Sequence, residues 1–493
     1  MSPASRYPRL GSMDIEAFRQ HLGSIAGELS YDVPCDDAIL TAPESPLAAP
    51  LQVGDFTVGN RWAIHPMEGW DGESDGRPGP LTIRRWKHFG ESGAKLIWGG
   101  EAVAVEYSGR ANPNQLVMAD STMAGIESLR GDLFDAHRGR FSTTEGLFVG
   151  LQLTHSGRFA RPYKKDQPEA RVAYRHPVLD ERFAVESDDQ VLTDAEVDGL
   201  IEKFVAAAVR AHRVGFHFVD IKHCHGYLLN EFLGAHTRLG RYGGSFENRT
   251  RLLREIVTGI QRDAPGLTIG VRVSFFDMIP FRPDPESESD RGPAPGVPAA
   301  FPHEELYRYG FGVDPGDPTR PQLDEARALI DLFRELGVRL VNVSGGSPYY
   351  NPHIQRPALY PPSDGYSPPE DPLLGVVRQM RVAYELKQHA PDVIMVGSAL
   401  SYLQDFLPHV GQAIVRDGWM DSVGLGRMAL SYWDLPADAL EKGALTKKRV
   451  CRTFSDCTTG PRKGLLSGCF PLDKFYADLP DGEKLRAIKR ADS

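Results

Sequence analysis

Thr193-Asp-Ala-Glu-Val-Asp-Gly-Leu-Ile-Glu-Lys-Phe-Val-Ala-Ala-Ala-Val-Arg-Ala-His-Arg-Val-Gly215, followed at once by Phe216-His-Phe-Val-Asp-Ile-Lys-His223, decides the fold. Thr193 and Glu196 have the spacing of a capping box, in which each side chain satisfies a backbone amide left open at a helix start. Val197, Leu200, Ile201, Phe204 and Ala208 then share one stripe, and Gly215 sits where a helix ends. Phe216–His223 is a short, nearly continuous apolar run, as expected of a parallel strand covered on both faces. The unit is therefore a helix delivering the chain to a buried strand.

The same grammar recurs along the chain. Strands are expected at Asn60–His65, Lys95–Glu101, Leu147–His155, Phe216–His223, Leu267–Ser274, Arg339–Ser344, Val393–Gly397 and Asp421–Gly426, with helices over 80–93, 123–138, 246–262, 372–388, 401–415 and 428–441. A further helix carries Leu329, Ile330, Phe333 and Leu336 and stops at Gly337. Eight strand–helix units imply a parallel sheet, and eight is the number that closes one. The expected fold is an α/β (β/α)8 TIM barrel over 46–435, with an N-terminal extension (1–45) and a C-terminal extension (436–493). An open doubly wound sheet competes, but no Gly-x-Gly-x-x-Gly follows the first strand. Ten prolines from Met278 to Pro321 inclusive mark a long insertion after strand 5, and Pro348–Pro372 is a second Pro- and Tyr-rich loop. Both leave the strand ends where barrels build active sites, and read as lids. Residues 283–298 read equally well as a disordered surface excursion.

Composition narrows the function. The net charge of −10 argues against a nucleic-acid binder, which needs a basic face. No apolar run is long enough to span a membrane, and the start of the chain lacks a signal-peptide core. Five cysteines, an odd number, suggest reduced thiols in a cytoplasmic protein.

Three places carry candidate chemistry. Asp220-Ile-Lys-His-Cys-His-Gly-Tyr227 puts Lys222, His225 and Tyr227 at a strand tip; strand alternation would set Lys222 and Cys224 on one side and His223 and His225 on the other. Val396-Gly-Ser398 and Gly424-Leu-Gly-Arg427 end the seventh and eighth strands, where barrels commonly bind phosphate through backbone amides and a forked cation. Arg272, inside Val271-Arg-Val-Ser274, needs an anion or acceptor, because burying it unpaired is prohibitive. Each could serve structure alone; together on one face they favour a phosphorylated ligand.

Asn60-Arg-Trp-Ala-Ile-His-Pro-Met67, Gly99-Gly-Glu-Ala102, Gln152-Leu-Thr-His-Ser-Gly-Arg158, Cys224-His-Gly-Tyr-Leu-Leu-Asn-Glu-Phe232 and Arg241-Tyr-Gly-Gly-Ser-Phe-Glu-Asn-Arg249, with Arg272, Ser344-Gly-Gly346, Gly397 and Gly426-Arg427, occur in the order found in old yellow enzymes. Over about residues 50 to 435 the chain resembles that family of NADH:flavin oxidoreductases. The resemblance implies bound FMN and an NAD(P)H donor. It implies that Pro66, Met67 and Ala102 pack on the flavin ring, that Gln152 and Arg272 meet its pyrimidine side, and that Gly346, Gly397, Gly426 and Arg427 hold its phosphate. His225 would bind the substrate oxygen and Tyr227 would donate the proton, in reduction of the C=C of a small unsaturated carbonyl compound.

Two departures stand out. Lys222 occupies the first position of the usual His-x-x-His or His-x-x-Asn pair, and Glu68 follows Pro-Met where a small or thiol residue is common. Larger relatives continue into a four-cysteine cluster motif; here Phe454 stands three residues after Cys451, leaving Cys451, Cys457 and Cys469, so no metal is expected. Two other functions remain open at this point: a flavin dehydrogenase or demethylase that passes electrons to a partner protein, and a non-flavin barrel lyase or isomerase using Lys222 as a Schiff-base amine. The expected partners are the small-molecule substrate and the nicotinamide donor, without nucleic acid or membrane, and with self-association left open.

Overall fold

A computed structural model of the chain describes residues 6–287, 293–302, 304–362 and 365–491. Eight parallel strands close on themselves: β1 (Trp62–Ile64), β2 (Leu96–Ile97), β3 (Phe148–Thr154), β4 (Phe218–Ile221), β5 (Thr268–Ser274), β6 (Leu340–Ser344), β7 (Ile394–Gly397) and β8 (Ser422–Leu425). Closure is seen in the register, with Val423 opposite Trp62, Ala63 opposite Leu96, and Leu96 opposite Phe148. The expected strands all form, and the open-sheet alternative falls because both ends of the sheet are paired. A closed sheet has no edge left to protect.

β2 is interrupted. Gly99 and Gly100 both have positive φ (137° and 52°), and the chain then re-pairs with β3 through Ala102–Ala104. A Cβ on Gly99 would lie 2.7 Å from the Gln152 amide nitrogen, so only glycine lets the strand break this close to its neighbour.

The helix predicted from the opening stretch runs Asp194–Arg213. Thr193 and Glu196 form the capping box, the Thr193 amide donating to Glu196 Oε2 at 2.7 Å. Val197, Leu200, Phe204 and Ala208 are buried, as the stripe requires, and Ile201 is half-buried. Strand-facing helix stripes of this kind build one continuous apolar layer outside the barrel. Inside the barrel a second cluster joins strand starts such as Ala63, Phe148 and Phe218 to Leu51, Val53 and Val58. Those last three belong to an antiparallel hairpin (Leu51–Val53 with Phe56–Val58) that plugs the bottom of the barrel. The opposite end is left for chemistry.

Both extensions pack onto the barrel. The N-terminal helix Ile15–Glu28 lies against the helix Pro372–His389, and Phe18 stacks on Phe406 at 4.0 Å. In the Pro-rich segment after β5, Phe281–Pro283 pairs antiparallel with Gly296–Pro298. The 283–298 reading is thus only partly addressed, since 288–292 lie outside the described residues. No helix among the described residues is long and apolar enough to cross a membrane.

Candidate active site

At the C-terminal mouth of the barrel lies a cavity of about 520 Å³, within the range of small-molecule and cofactor sites. Its wall carries Pro66, Met67, Arg272, Gly426, Arg427 and His225 of the residues expected from sequence. Ala102, Gln152, Lys222, Tyr227, Gly346 and Gly397 are not on the wall itself. The reasons differ.

Gln152 and Arg272 share a buried support. Asp220 on β4 accepts from Gln152 Nε2 (2.6 Å) and Trp98 Nε1 (2.7 Å) through one oxygen, and from the Arg272 amide (2.7 Å) through the other. Burial pushes the Asp220 carboxyl up to about 6 against the pull of these donors. The Arg272 guanidinium reaches Ser398 Oγ at 3.3 Å, while its Nε is buried without a partner among the described residues. Beside it His65 bonds the Gly397 carbonyl through Nε2 (3.1 Å) and Asn342 through Nδ1 (3.0 Å). Burial, then the Arg272 charge, hold His65 well below the usual histidine range, so it is neutral.

Arg427 shows the same pattern. Its Nη2 donates to the Pro357 carbonyl at 2.8 Å and its Nη1 is buried with no partner among the described residues. Next to it, a Cβ on Gly426 would meet only Met67 Sδ at 3.7 Å, so this peptide stands open to the cavity. Gly397 and Gly346 are packed from behind: a Cβ would lie 2.2 Å from Met420 Sδ or 2.6 Å from Asn351 Oδ1. Among the described residues, the buried guanidinium nitrogens without acceptors on Arg272, Arg427 and Arg356, beside a bare glycine peptide, fit an anionic cofactor such as a flavin phosphate and pyrimidine edge.

The strand-tip reading needs correction. β4 stops at Ile221, and His225 takes a left-handed conformation (φ 69°), so alternation does not extend through the motif. The turn swings His225 into the cavity, where Arg272 and Lys222 both act on its ring. Burial first, then those cations, keep His225 well below the usual range and hence neutral. It is pinned by its amide to Ser274 Oγ (3.0 Å), by its carbonyl to Ser347 Oγ (2.7 Å), and by Nε2 to the Gln355 amide (3.1 Å). Nδ1 is left for a ligand.

Tyr227 is 4% exposed and lies behind Tyr349, which lines the cavity; the two hydroxyls are 2.9 Å apart. Lys222 Nζ sits 3.6 Å above the Tyr227 ring. Burial lowers the Lys222 ammonium's pKa, with Glu68 acting against that. Glu68 lines the cavity and accepts from Asn112 Nδ2 at 2.7 Å. Burial pushes its carboxyl up to about 7, while Lys222 pulls it down. The two departures from the family pattern are therefore electrostatic neighbours.

Sequence reasoning missed Tyr349, Gln355 and Arg356, which come from the Pro-rich loop after β6 flagged only as a lid. Arg356 is the telling case: burial first, then Arg462 and Arg427, lower it to about 9. The C-terminal extension also supplies wall, with Cys457 and Arg462. Cys451 and Cys469 are buried nearby, and Phe454 stacks on Tyr360 (5.7 Å) where a cluster cysteine would stand. Among the described residues no group of three or more His, Cys, Asp or Glu is arranged to hold a metal.

Glu68 gives a pH-dependent expectation. Its folded value near 7 lies above the ordinary 4.5, so its effect is neutral below about 4.5 and stability is lost as pH rises through about 7. Glu68→Gln removes that ionisation. Thermal melts should show the variant more stable than wild type at pH 8, by up to about 3 kcal/mol, with the gain gone at pH 4.5. An equal difference at both pH values would contradict a buried, ionising Glu68.

Comparison with known proteins agrees with the fold. Residues 46–284, which hold β1 to β5 and their loops, match the NADH:flavin oxidoreductase / NADH oxidase family. The chain is 30% identical over 239 residues to an NADPH dehydrogenase of Bacillus subtilis, covering 47% of this chain and 64% of that protein. It thus spans less than two thirds of that relative. Among solved structures, a 2-naphthoyl-CoA reductase complex superposes with TM-score 0.61 at 17% identity, over 88% of this chain and 57% of the other. An old yellow enzyme homologue from Zymomonas mobilis superposes with TM-score 0.55 at 19% identity, over 83% and 96%. The barrel fold is shared, and the resemblance to old yellow enzymes read from the motifs stands.

Proposed function

We propose that the protein is an FMN-dependent oxidoreductase of the ene-reductase type, using NAD(P)H to reduce the activated C=C of a small unsaturated carbonyl compound. The observation that carries this reading is the set of buried guanidinium nitrogens without partners among the described residues, Arg272 Nε, Arg427 Nη1 and Arg356 Nη2, at one cavity in a barrel similar to NADH:flavin oxidoreductases. Bound FMN supplies a two-electron carrier that takes a hydride from a nicotinamide and gives it to carbon.

The chain's own residues do the rest. Pro66, Met67 and Ala102 would flank the flavin ring, Gln152 and Arg272 its pyrimidine side, and Arg427 with Gly346, Gly397 and Gly426 its phosphate. His225 donates from Nδ1 to the substrate carbonyl oxygen, and the Lys222 charge stabilises negative charge growing there. The Tyr227–Tyr349 pair delivers the proton, because a phenol stays protonated at neutral pH. Donor and acceptor use one cavity in turn, giving ping-pong kinetics. We place the protein in a reducing cytoplasm, in keeping with five free cysteines.

Denaturing the purified yellow protein and chromatographing the released material tests the cofactor: FMN is expected. Arg427→Ala should weaken FMN binding about ten- to a hundred-fold, the loss of charge-assisted bonds worth roughly 1.5–3 kcal/mol. Recovery of FAD, or no flavin after reconstitution, would overturn the proposal; a colourless protein would favour the Lys222 lyase or isomerase.

A further inference from the structure

Among the described residues, the cavity wall carries seven arginines and one carboxylate, Glu68, more positive charge than one cofactor phosphate needs. These cations are held in different ways. Arg158 is neutralised by Glu231 (2.6 Å) and Asp180 (2.5 Å), while Arg272 and Arg427 belong to the cofactor end described above. Arg161 is different. Its side chain makes no hydrogen bond or ion pair with any described residue, yet its backbone is fixed on both sides. Its amide donates to the Arg110 carbonyl (2.9 Å), and the Arg110 guanidinium in turn clamps the Pro162 carbonyl (2.5 Å). One residue earlier, the Ala160 carbonyl accepts from the Glu169 amide (2.9 Å). A rigid backbone presenting a half-buried guanidinium, with no partner among the described residues, into a cavity is a preorganised anion receptor.

Its surroundings give the shape of the ligand. Phe159 and Tyr349 stack at 4.0 Å with planes 15° apart, and both line the cavity. Arg161 lines the same cavity as this aromatic pair and His225, and its charge acts on the Tyr349 hydroxyl. A planar conjugated molecule lying on this wall would put its carbonyl at His225 and its far end at Arg161.

We infer that Arg161 is an anion-recognition residue, and that the substrate class is a planar, conjugated carbonyl compound bearing a carboxylate at the end remote from the reacting double bond. This rests on the reading of the cavity as the redox site. The reaction is that already proposed: NAD(P)H is oxidised, its hydride equivalent reaches the β-carbon, and a proton reaches the α-carbon. The carboxylate is unchanged by it.

The test compares 4-carboxycinnamaldehyde with cinnamaldehyde on the FMN-loaded protein. The carboxylate should have a KM at least tenfold lower. Arg161→Gln should raise that KM tenfold or more with kcat within twofold, leave cinnamaldehyde unaffected, and leave the KM of NADH and of NADPH unchanged. Arg161→Lys should recover part of the loss. Equal KM values for the two aldehydes in the wild type, or an unmoved KM for the carboxylate in Arg161→Gln, would overturn the inference. An effect of Arg161→Gln confined to NADPH would also overturn it, assigning Arg161 to a dinucleotide phosphate. If neither aldehyde is turned over, the redox reading fails separately, and calorimetry still decides the anion site. Benzoate should bind at least tenfold tighter than benzamide and lose that preference in Arg161→Gln; equal binding of the two sinks the site.

Discussion

Tyr227→Phe is expected to slow the half-reaction with an enone by 10²–10⁴-fold while flavin reduction by NAD(P)H stays near the wild-type rate. A positioned proton donor contributes that much when the substrate must be protonated as hydride arrives, and nothing in the nicotinamide half-reaction needs it. The structure adds a condition. The Tyr227 hydroxyl meets the cavity through Tyr349, 2.9 Å away. If the two act as one relay, Tyr349→Phe slows the same half-reaction by a similar factor, and the double variant is scarcely slower than either single one, because groups acting as a unit are not additive. Stopped-flow absorbance at the flavin band separates the halves. A wild-type rate in Tyr227→Phe would remove it from the proton path. A wild-type rate in Tyr349→Phe alone would mean that Tyr227 reaches the substrate directly.

His225→Ala should be the next most damaging change, lowering the rate with the enone about 10²–10³-fold and weakening substrate binding. The ring is neutral and held by Gln355 at Nε2, so its remaining nitrogen is a fixed donor rather than a mobile charge. Lys222→Ala should act in the same direction, since its ammonium supplies the positive charge that a neutral His225 does not. Lys222→His, the residue common at this place in the family, should restore part of the rate. Nicotinamide binding is read from the same variants: flavin reduction measured alongside shows whether the pair also serves the donor. Unchanged kinetics with the enone in both alanine variants would place the oxyanion contact elsewhere.

How much of this was legible in advance differs by residue. The eight strands and most helices could be read because each carries a local signal: a buried apolar run, a 3.6-residue stripe, a cap such as Thr193–Glu196. Arg272 and Arg427 were legible because strand ends of a barrel converge, and an ionised side chain in an apolar strand has to face a ligand or partner, whereas Pro66 and Met67 were implied only by the resemblance to old yellow enzymes. His225 was located, but its orientation was not. The positive φ that turns it into the cavity reflects tertiary bonds to Ser274 and Ser347, 49 and 122 residues away in the chain. Glu68 and Lys222 each looked like an isolated departure, and only folding makes them neighbours.

The sequence by itself determined the barrel, its strand order and the shared chemistry of its mouth, because those follow from short-range periodicity and from motifs fixed to strand ends. Only the tertiary structure decided what closes the mouth and what faces the ligand. Tyr349, Arg356 and Arg161 lie in irregular loops, and Cys457 and Arg462 lie in the C-terminal extension; no periodicity says where such segments go. Their placement is set by long-range bonds, such as the Arg110 clamp beside Arg161 and the Arg462 guanidinium on the Pro348 carbonyl at 2.7 Å. Burial then decides the charge states, because a group's pKa depends on the solvent and neighbours that the completed fold leaves it.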